Sequence, residues 1–199
     1  MSKEIVNLSS IADQVNKKFG ANKVVVIGDQ PKEKAPTFSS GSIALDYALN
    51  GGFAEGKIIE AFGDNGSGKT TLSIHAMINV QKAGKIVGFI DMEHAFNFEY
   101  AEGLGLDVSR LIFTQPDNGE EALGICEELI RLGVHFVCFD SVAAMIPKAE
   151  LEGDFGESKM GLHARMMSQG MRKLTGEASK KGVTLFFINQ TRDINNLFS

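Results

Sequence analysis

The run Gly63-Asp64-Asn65-Gly66-Ser67-Gly68-Lys69-Thr70 fits the pattern G-x-x-x-x-G-K-[ST], in which backbone and side chains together can hold a string of phosphates. Its glycines let the backbone curl until several N–H groups converge on one anion, and the start of a following helix adds a positive field. Lys69 then reaches the β- and γ-phosphates of a nucleoside triphosphate, and the Thr70 hydroxyl ligates Mg2+. A glycine-rich turn that merely starts a helix would look similar in isolation. Here the run lies between an apolar strand (Ile58, Ile59, Ala61, Phe62) and an amphipathic helical segment, the context that gives the pattern its meaning.

A magnesium nucleotide site also needs a carboxylate at the end of a neighbouring strand. Val137-Cys138-Phe139-Asp140 is an apolar run ending in an acid. A carboxylate buried without a partner is costly, so its sensible place is the C-terminal rim of a strand, facing the cation. Asp140 is therefore expected to orient the metal through metal-bound water; the alternative is a cap for the segment after it. Phe89-Ile90-Asp91-Met92-Glu93-His94 supplies a second strand end, with acids at alternate positions on one side of an extended backbone. Glu93, further past the strand, is the candidate to orient or deprotonate the water that attacks the γ-phosphate. Asp91 reads as support for the loop or for the metal's water shell. His94 has no second histidine at metal spacing, so no zinc site is expected. Phe187-Ile188-Asn189-Gln190 ends the last strand with two amides, which could report on the γ-phosphate or simply bond the loop.

Periodicity identifies the elements that must position these groups. Strands are expected at 57–62, 86–91, 110–114, 136–140 and 183–189, and helices at 70–82, 98–104, 120–132 and 165–179. The helix at 120–132 carries Ala122, Ile125, Cys126 and Leu129 on one face. Strands alternate with helices, and several are apolar throughout, as parallel strands covered on both faces are. The expected fold is α/β, a mostly parallel sheet flanked by helices. Upstream, 43–49 reads as a short helix closed by Asn50-Gly51-Gly52. Further upstream, Ile5, Leu8, Ile11, Ala12, Val15 and Phe19 form a helical stripe that Gly20 ends. Val24-Val25-Val26-Ile27 reads as a short strand, and 29–40, with Pro31 and Pro36, as an exposed connector. One helix and one strand have no core of their own, so they must pack on the main domain or on another subunit.

Composition narrows the partners. Hydrophobic residues make up 43% and charged residues 23%, a globular rather than a disordered balance. No run approaches the roughly 20 apolar residues that span a bilayer, and the N-terminus lacks a signal-peptide pattern; a cytoplasmic protein without membrane contact is expected. Cys126 and Cys138 lack CxxC spacing and read as reduced core thiols. The formal net charge of −5 argues against a surface positive all over, so any case for DNA must rest on a local segment. One candidate is 150–161, a glycine-rich, charged loop that runs into a helix with His163, Arg165, Arg172 and Lys173. Met160, Ala164, Met167, Met171 and Leu174 recur there at helical spacing and read as core. Arg165 and Arg172 could meet phosphates, a weak signal beside so many acids.

Taken together, these residues resemble the bacterial RecA recombinase family, and in particular a phage-encoded member. The resemblance is carried by Gly66-Ser67-Gly68-Lys69-Thr70-Thr71, Phe89-Ile90-Asp91-Met92-Glu93-His94-Ala95 and Gln115-Pro116-Asp117-Asn118-Gly119-Glu120. It continues through Asp140-Ser141-Val142-Ala143-Ala144, Pro147-Lys148-Ala149-Glu150, Met160-Gly161-Leu162, Arg165-Met166-Met167-Ser168-Gln169 and Phe187-Ile188-Asn189-Gln190. These ordered matches span residues 38–192 and are far more specific than the phosphate loop alone. The resemblance implies a RecA-like P-loop NTPase core at 38–199, preceded at 1–37 by a polymerisation arm and linker, the arm being the looser match. It also implies an ATP-dependent recombinase that coats single-stranded DNA as a filament, pairs it with homologous double-stranded DNA and exchanges strands. Lys69 and Thr70 would keep the roles above, with ATP and Mg2+ as cofactors. Glu93 would be the catalytic base, Asp140 the metal-side acid and Gln190 the γ-phosphate sensor coupled to DNA. Tyr100 would stack on the adenine, while Asn97 stands where the family has an acid, so the adenine-edge contact is expected to differ. The segment 152–165 looks like the first DNA-binding loop. Met160 would then wedge among bases, with Arg165 and Arg172 near the DNA backbone.

The family's second DNA-binding loop follows Gln190, where this sequence has only Thr191 to Ser199. The later strands, the basic residues that complete the ATP site across the subunit boundary and the C-terminal domain have no counterpart. The sequence thus reads as a fragment or a truncated gene product. It is expected to bind nucleotide poorly or moderately and to exchange strands little or not at all. Rival readings are a RecA-like ATPase of another class, helicase-type or regulatory, and a small-molecule kinase. A third is a non-catalytic fragment that caps or poisons recombinase filaments.

Overall fold

A computed structural model of the chain describes residues 7–29, 35–153 and 161–190. Two compact units divide at Ala35 and Pro36. The first contains α1 (Leu8–Phe19), opened by Asn7, whose side chain accepts from the Ser10 N–H at 3.1 Å, and closed by Gly20 at φ 108°. The valine run after it is not the expected strand. The Asn16 side chain takes both backbone groups of Val24, accepting from its N–H at 2.8 Å and donating to its carbonyl at 2.7 Å. The chain then turns through a 3-10 helix at Ile27–Asp29. A strand needs a neighbour for its backbone groups, and the described part of this unit holds no other strand. Val24, Val25 and Ile27 stay exposed.

The second unit opens with β1 (Thr37–Phe38), α2 (Ile43–Ala48) and β2 (Phe53–Ala54), the two strands pairing antiparallel. The tail of the expected connector is therefore built in, and Ser40 is fully buried. The cause is Asp46 on α2, which accepts from the Ser39 hydroxyl at 2.5 Å, the Ser40 hydroxyl at 2.6 Å and the Ser40 N–H at 2.8 Å. Those bonds hold its carboxyl below the usual carboxylate range. Between α2 and β2, Gly52 has φ 100°, and a Cβ there would stand 2.2 Å from the Phe38 carbonyl oxygen, so only glycine makes the return.

Then follow β3 (Ile58–Gly63), α3 (Lys69–Lys82), β4 (Val87–Asp91), α4 (Phe98–Leu104), β5 (Leu111–Thr114) and α5 (Gly119–Arg131). The chain continues with β6 (Phe136–Asp140), α6 (Lys148–Leu151), α7 (Leu162–Lys181) and β7 (Thr184–Gln190). The five long strands form one parallel sheet in the order β3-β7-β6-β4-β5, as expected for an α/β fold. After β3 the chain skips two positions before β4; β6 and β7 fill the gap later. All five C-terminal ends share one rim, where ligands of open α/β sheets bind.

Alternate residues of each strand enter different cores. Val137, Phe139, Leu185 and Phe187 pack with Ala122, Cys126, Ile130, Met166 and Leu174. Phe136, Cys138, Phe186 and Ile188 pack with Ile74, Met77 and Ile78. Both faces being covered, the strands read as continuous apolar runs. Cys126 and Cys138 are free, buried thiols, and burial pushes both above the ordinary thiol range.

The apolar face of α7 shares Met167, Met171 and Leu174 with the expected stripe and adds Met166 and Ala178. Met166, Leu174 and Ala178 are buried, Met167 and Met171 pack partly against them, and Ala164 is exposed. Met160 lies outside the described residues. The partner decides the face: α7 meets α5, and Gly170 lets Leu123 come so close that a Cβ there would stand 2.7 Å from it.

Candidate nucleotide site

The phosphate loop leaves β3 at Gly63 and enters α3 at Lys69, with Gly66 at φ 74° and Gly68 at φ 90°. Gly68 occupies the cap position of α3 with no side-chain cap, leaving the helix's first N–H groups turned toward the loop. Lys69 Nζ donates to the carbonyls of Gly63 at 2.9 Å and Asp64 at 2.7 Å, so the ammonium folds over the loop. The Thr70 hydroxyl donates to Asp140 Oδ2 at 2.7 Å. Thr71 Oγ1 and the Tyr100 hydroxyl are 3.0 Å apart, tying α4 to the start of α3. Asn97 caps α4, its side chain accepting from the Tyr100 N–H at 2.9 Å. Asn97 thus sets the position of Tyr100, a role that cap spacing could have revealed.

Sheet register brings the remaining groups in. Asp91 on β4 lies opposite Asp140 on β6, and Gln190 on β7 lies opposite Gly63 on β3. Asp140 is raised above the usual carboxylate range, first by burial, with the Glu93 and Asp91 carboxylates adding to it and the Thr70 hydroxyl and Lys69 opposing. A hydroxyl and a carboxylate in contact, beside an ammonium, are hard oxygen donors suited to Mg2+ shared with phosphates.

The shift has a consequence for stability. A carboxyl raised in the folded state contributes stability below its ordinary value and loses it as pH rises through the raised one. At neutral pH the ionised Asp140 is therefore a cost, which Asp140→Asn removes while still accepting from Thr70. Without nucleotide, Asp140→Asn is expected to melt about 2–4 °C higher at pH 7. The gap should close as pH falls through the carboxylate range, and magnesium-dependent nucleotide stabilisation should be lost. Melting curves across pH, with and without magnesium nucleotide, check both.

Asp91 has a role the sequence left open. It is 1% exposed, and its oxygens accept from the N–H groups of Glu93 (3.2 Å), Ala95 (3.4 Å) and Phe96 (3.2 Å) and from Gln115 Nε2 (3.0 Å). This is loop support. The two amides of β7 separate as well, because neighbours on a strand face opposite sides. Asn189 Nδ2 donates to Glu60 Oε1 at 2.9 Å, while Gln190 Nε2 donates to Glu93 Oε1 at 2.8 Å. Ser141 Oγ also donates to Glu93 Oε1. Sequence reading gave Ser141 no role, although it directly follows the strand-end acid.

Lys69, Thr70, Glu93, Asp140 and Gln190 line one cavity of about 380 Å3. Arg165 and Arg172 stand exposed on α7, two turns apart, and do not line it. Among the described residues, no helix is long and apolar enough to cross a membrane.

A glycine loop joining a parallel strand to a helix, with acids on the neighbouring strand ends, is the architecture of a P-loop NTPase core. Residues 6–198 match the family described as the RecA N-terminal domain, and the chain belongs to that family. Among similar proteins is Protein RecA of Arthrospira platensis, 49% identical over 186 residues, covering 93% of this chain and 51% of the relative. Protein RecA of Chloroherpeton thalassium is 48% identical over 192 residues, covering 96% of this chain and 54% of the relative. Protein RecA of Bacteroides thetaiotaomicron is 50% identical over 194 residues, covering 96% and 59%. The chain spans about half the length of the curated relatives it matches.

Proposed function

We propose that this chain is the nucleotide-binding core of an ATP-dependent homologous recombination protein, one that coats single-stranded DNA as a filament and promotes exchange with homologous duplex. The observation carrying this reading is the meeting of Lys69, Thr70, Asp140, Glu93 and Gln190 around one cavity, in a chain of the RecA family. The residues from Gly63 to Thr71 wrap the phosphates, and Lys69 leaves its carbonyl partners for the β- and γ-phosphates. Thr70 and Asp140 would hold Mg2+, which when bound would supply charge neutralisation at the phosphates. Glu93 orients and deprotonates the attacking water, Gln190 reads the terminal phosphate, and Tyr100 stacks on the base.

DNA contact is assigned to Met160, Arg165 and Arg172. Self-association is assigned to the arm at 1–37, where exposed Val24, Val25 and Ile27 offer apolar surface to the next copy in a filament. The setting is the cytoplasm of a bacterial or phage-infected cell. The test is ATP hydrolysis with and without single-stranded DNA, alongside Lys69→Ala. Hydrolysis stimulated by DNA and lost in the variant supports the proposal. Hydrolysis indifferent to DNA assigns the chain to another ATPase class. No hydrolysis, together with inhibition of an intact recombinase, makes it a filament modulator.

A further inference from the structure

We infer that Ser141 is a positioning residue for Glu93, holding its carboxylate through a hydroxyl hydrogen bond; the inference rests on the hydrolytic reading of the site. Glu93 Oε1 accepts from two donors, the Ser141 hydroxyl and Gln190 Nε2. Two donors on one oxygen aim the carboxylate and present Oε2 to a water molecule.

The two donors differ in what they lose if Glu93 turns away. Ser141 is fully buried, so its hydroxyl would be stranded without an acceptor, the costly outcome for a buried donor. Gln190 is only half-buried at the end of β7 and lines the same cavity as Lys69 and Thr70. A terminal phosphate bound there competes for its amide. Ser141 is the permanent tether, and Gln190 is the exchangeable one.

The tether has a rigid base. The Asp140 carbonyl accepts from the N–H groups of Met92 at 2.7 Å and Glu93 at 3.2 Å, lacing the ends of β4 and β6 together. The Ser141 carbonyl accepts from the Ala144 N–H at 3.1 Å and starts a 3-10 turn, Val142–Ala144. His163 Nε2 meets the Val142 carbonyl at 3.1 Å. With its backbone and one carboxylate oxygen both fixed, Glu93 keeps its aim when Gln190 departs, and orientation of this kind contributes directly to rate.

The experiment compares the full chain with Ser141→Ala, which removes the hydroxyl, and Ser141→Thr, which keeps it. Steady-state ATP hydrolysis is measured with saturating single-stranded DNA and Mg2+, and affinity with a fluorescent non-hydrolysable ATP analogue. Ser141→Ala is expected to lower kcat about tenfold with KM and analogue affinity within about twofold, and Ser141→Thr to recover most of the loss. A second readout needs no turnover: melting temperatures of Ser141→Ala, Glu93→Ala and the double variant without nucleotide. The loss caused by Ser141→Ala should vanish when Glu93 is already absent. Additive melting shifts, an unchanged kcat, or kcat and KM falling together without rescue by threonine would each overturn the inference. A wild-type chain that binds the analogue but hydrolyses nothing refutes the hydrolytic reading instead, and the melting cycle still decides whether Ser141 tethers Glu93.

Discussion

Lys69→Ala is expected to weaken magnesium nucleotide binding about 10²- to 10³-fold while leaving the melting temperature of the nucleotide-free chain almost unchanged. Each charge-assisted hydrogen bond from an ammonium to phosphate contributes roughly 1.5–3 kcal/mol, and in the proposed site Lys69 would make two of them. A combined loss of about 3–4 kcal/mol converts to that range of affinity. The fold depends little on the side chain: among the described residues its ammonium donates to the carbonyls of Gly63 and Asp64, and water can replace it at this part-exposed loop. Titration with a fluorescent ATP analogue, paired with a melting curve, separates the two effects. An affinity within threefold of wild type would remove Lys69 from the phosphate site and with it the proposed chemistry.

Asp91→Ala is expected to do the reverse, damaging the fold first and activity through it. Three backbone N–H groups and the Gln115 amide converge on this buried carboxylate. Part of the loop is exposed, so water recovers some of those bonds. The expected net cost is about 2–4 kcal/mol, a large part of the roughly 5–15 kcal/mol that holds a domain together. For a chain of this size that lowers the melting temperature by roughly 5–15 °C. Asp91→Asn should cost nearly as much despite its equal shape. Either way the amide is turned, its nitrogen faces two of the four donors. Glu93, two residues on, shares its N–H between Asp91 and the Asp140 carbonyl and keeps only the second, so its aim loosens and turnover should fall further than unfolding explains. Wild-type melting and turnover in Asp91→Asn would refute the loop-support role.

Much of the fold was legible because it rests on local rules. The α4 limits, Phe98–Leu104, and those of β6, Phe136–Asp140, follow from periodicity and from the residues that bracket them. The apolar runs 136–140 and 183–189 could be read as parallel strands because covering both faces leaves no polar alternation. Local rules fail where a partner decides. Four β-branched residues at 24–27 carry every local mark of a strand, yet Asn16 takes the backbone groups of Val24 and the chain turns away. On α7 the expected Met167, Met171 and Leu174 do pack inward, but contact with α5 adds Met166 and leaves Ala164 exposed.

The sequence by itself determined the phosphate loop, its strand-to-helix setting and the acids at the strand ends, because each is a property of a few consecutive residues. It could not say which group faces what, since Asp91, Asp140 and Gln190 end three different strands and Glu93 lies just past one of them, in a sheet whose overall strand order is not the order of the chain. Tertiary structure decided that. By inserting β6 and β7 between β3 and β4, it sets Asp91 opposite Asp140 and Gln190 opposite Gly63. It then turns Asp91 inward to bind the loop, leaves Asp140 for Thr70 and hands Glu93 to Ser141 and Gln190. Parallel pairing fixes register across the sheet, and register, rather than spacing along the chain, places one carboxylate under a loop and another beside Thr70 at the start of α3.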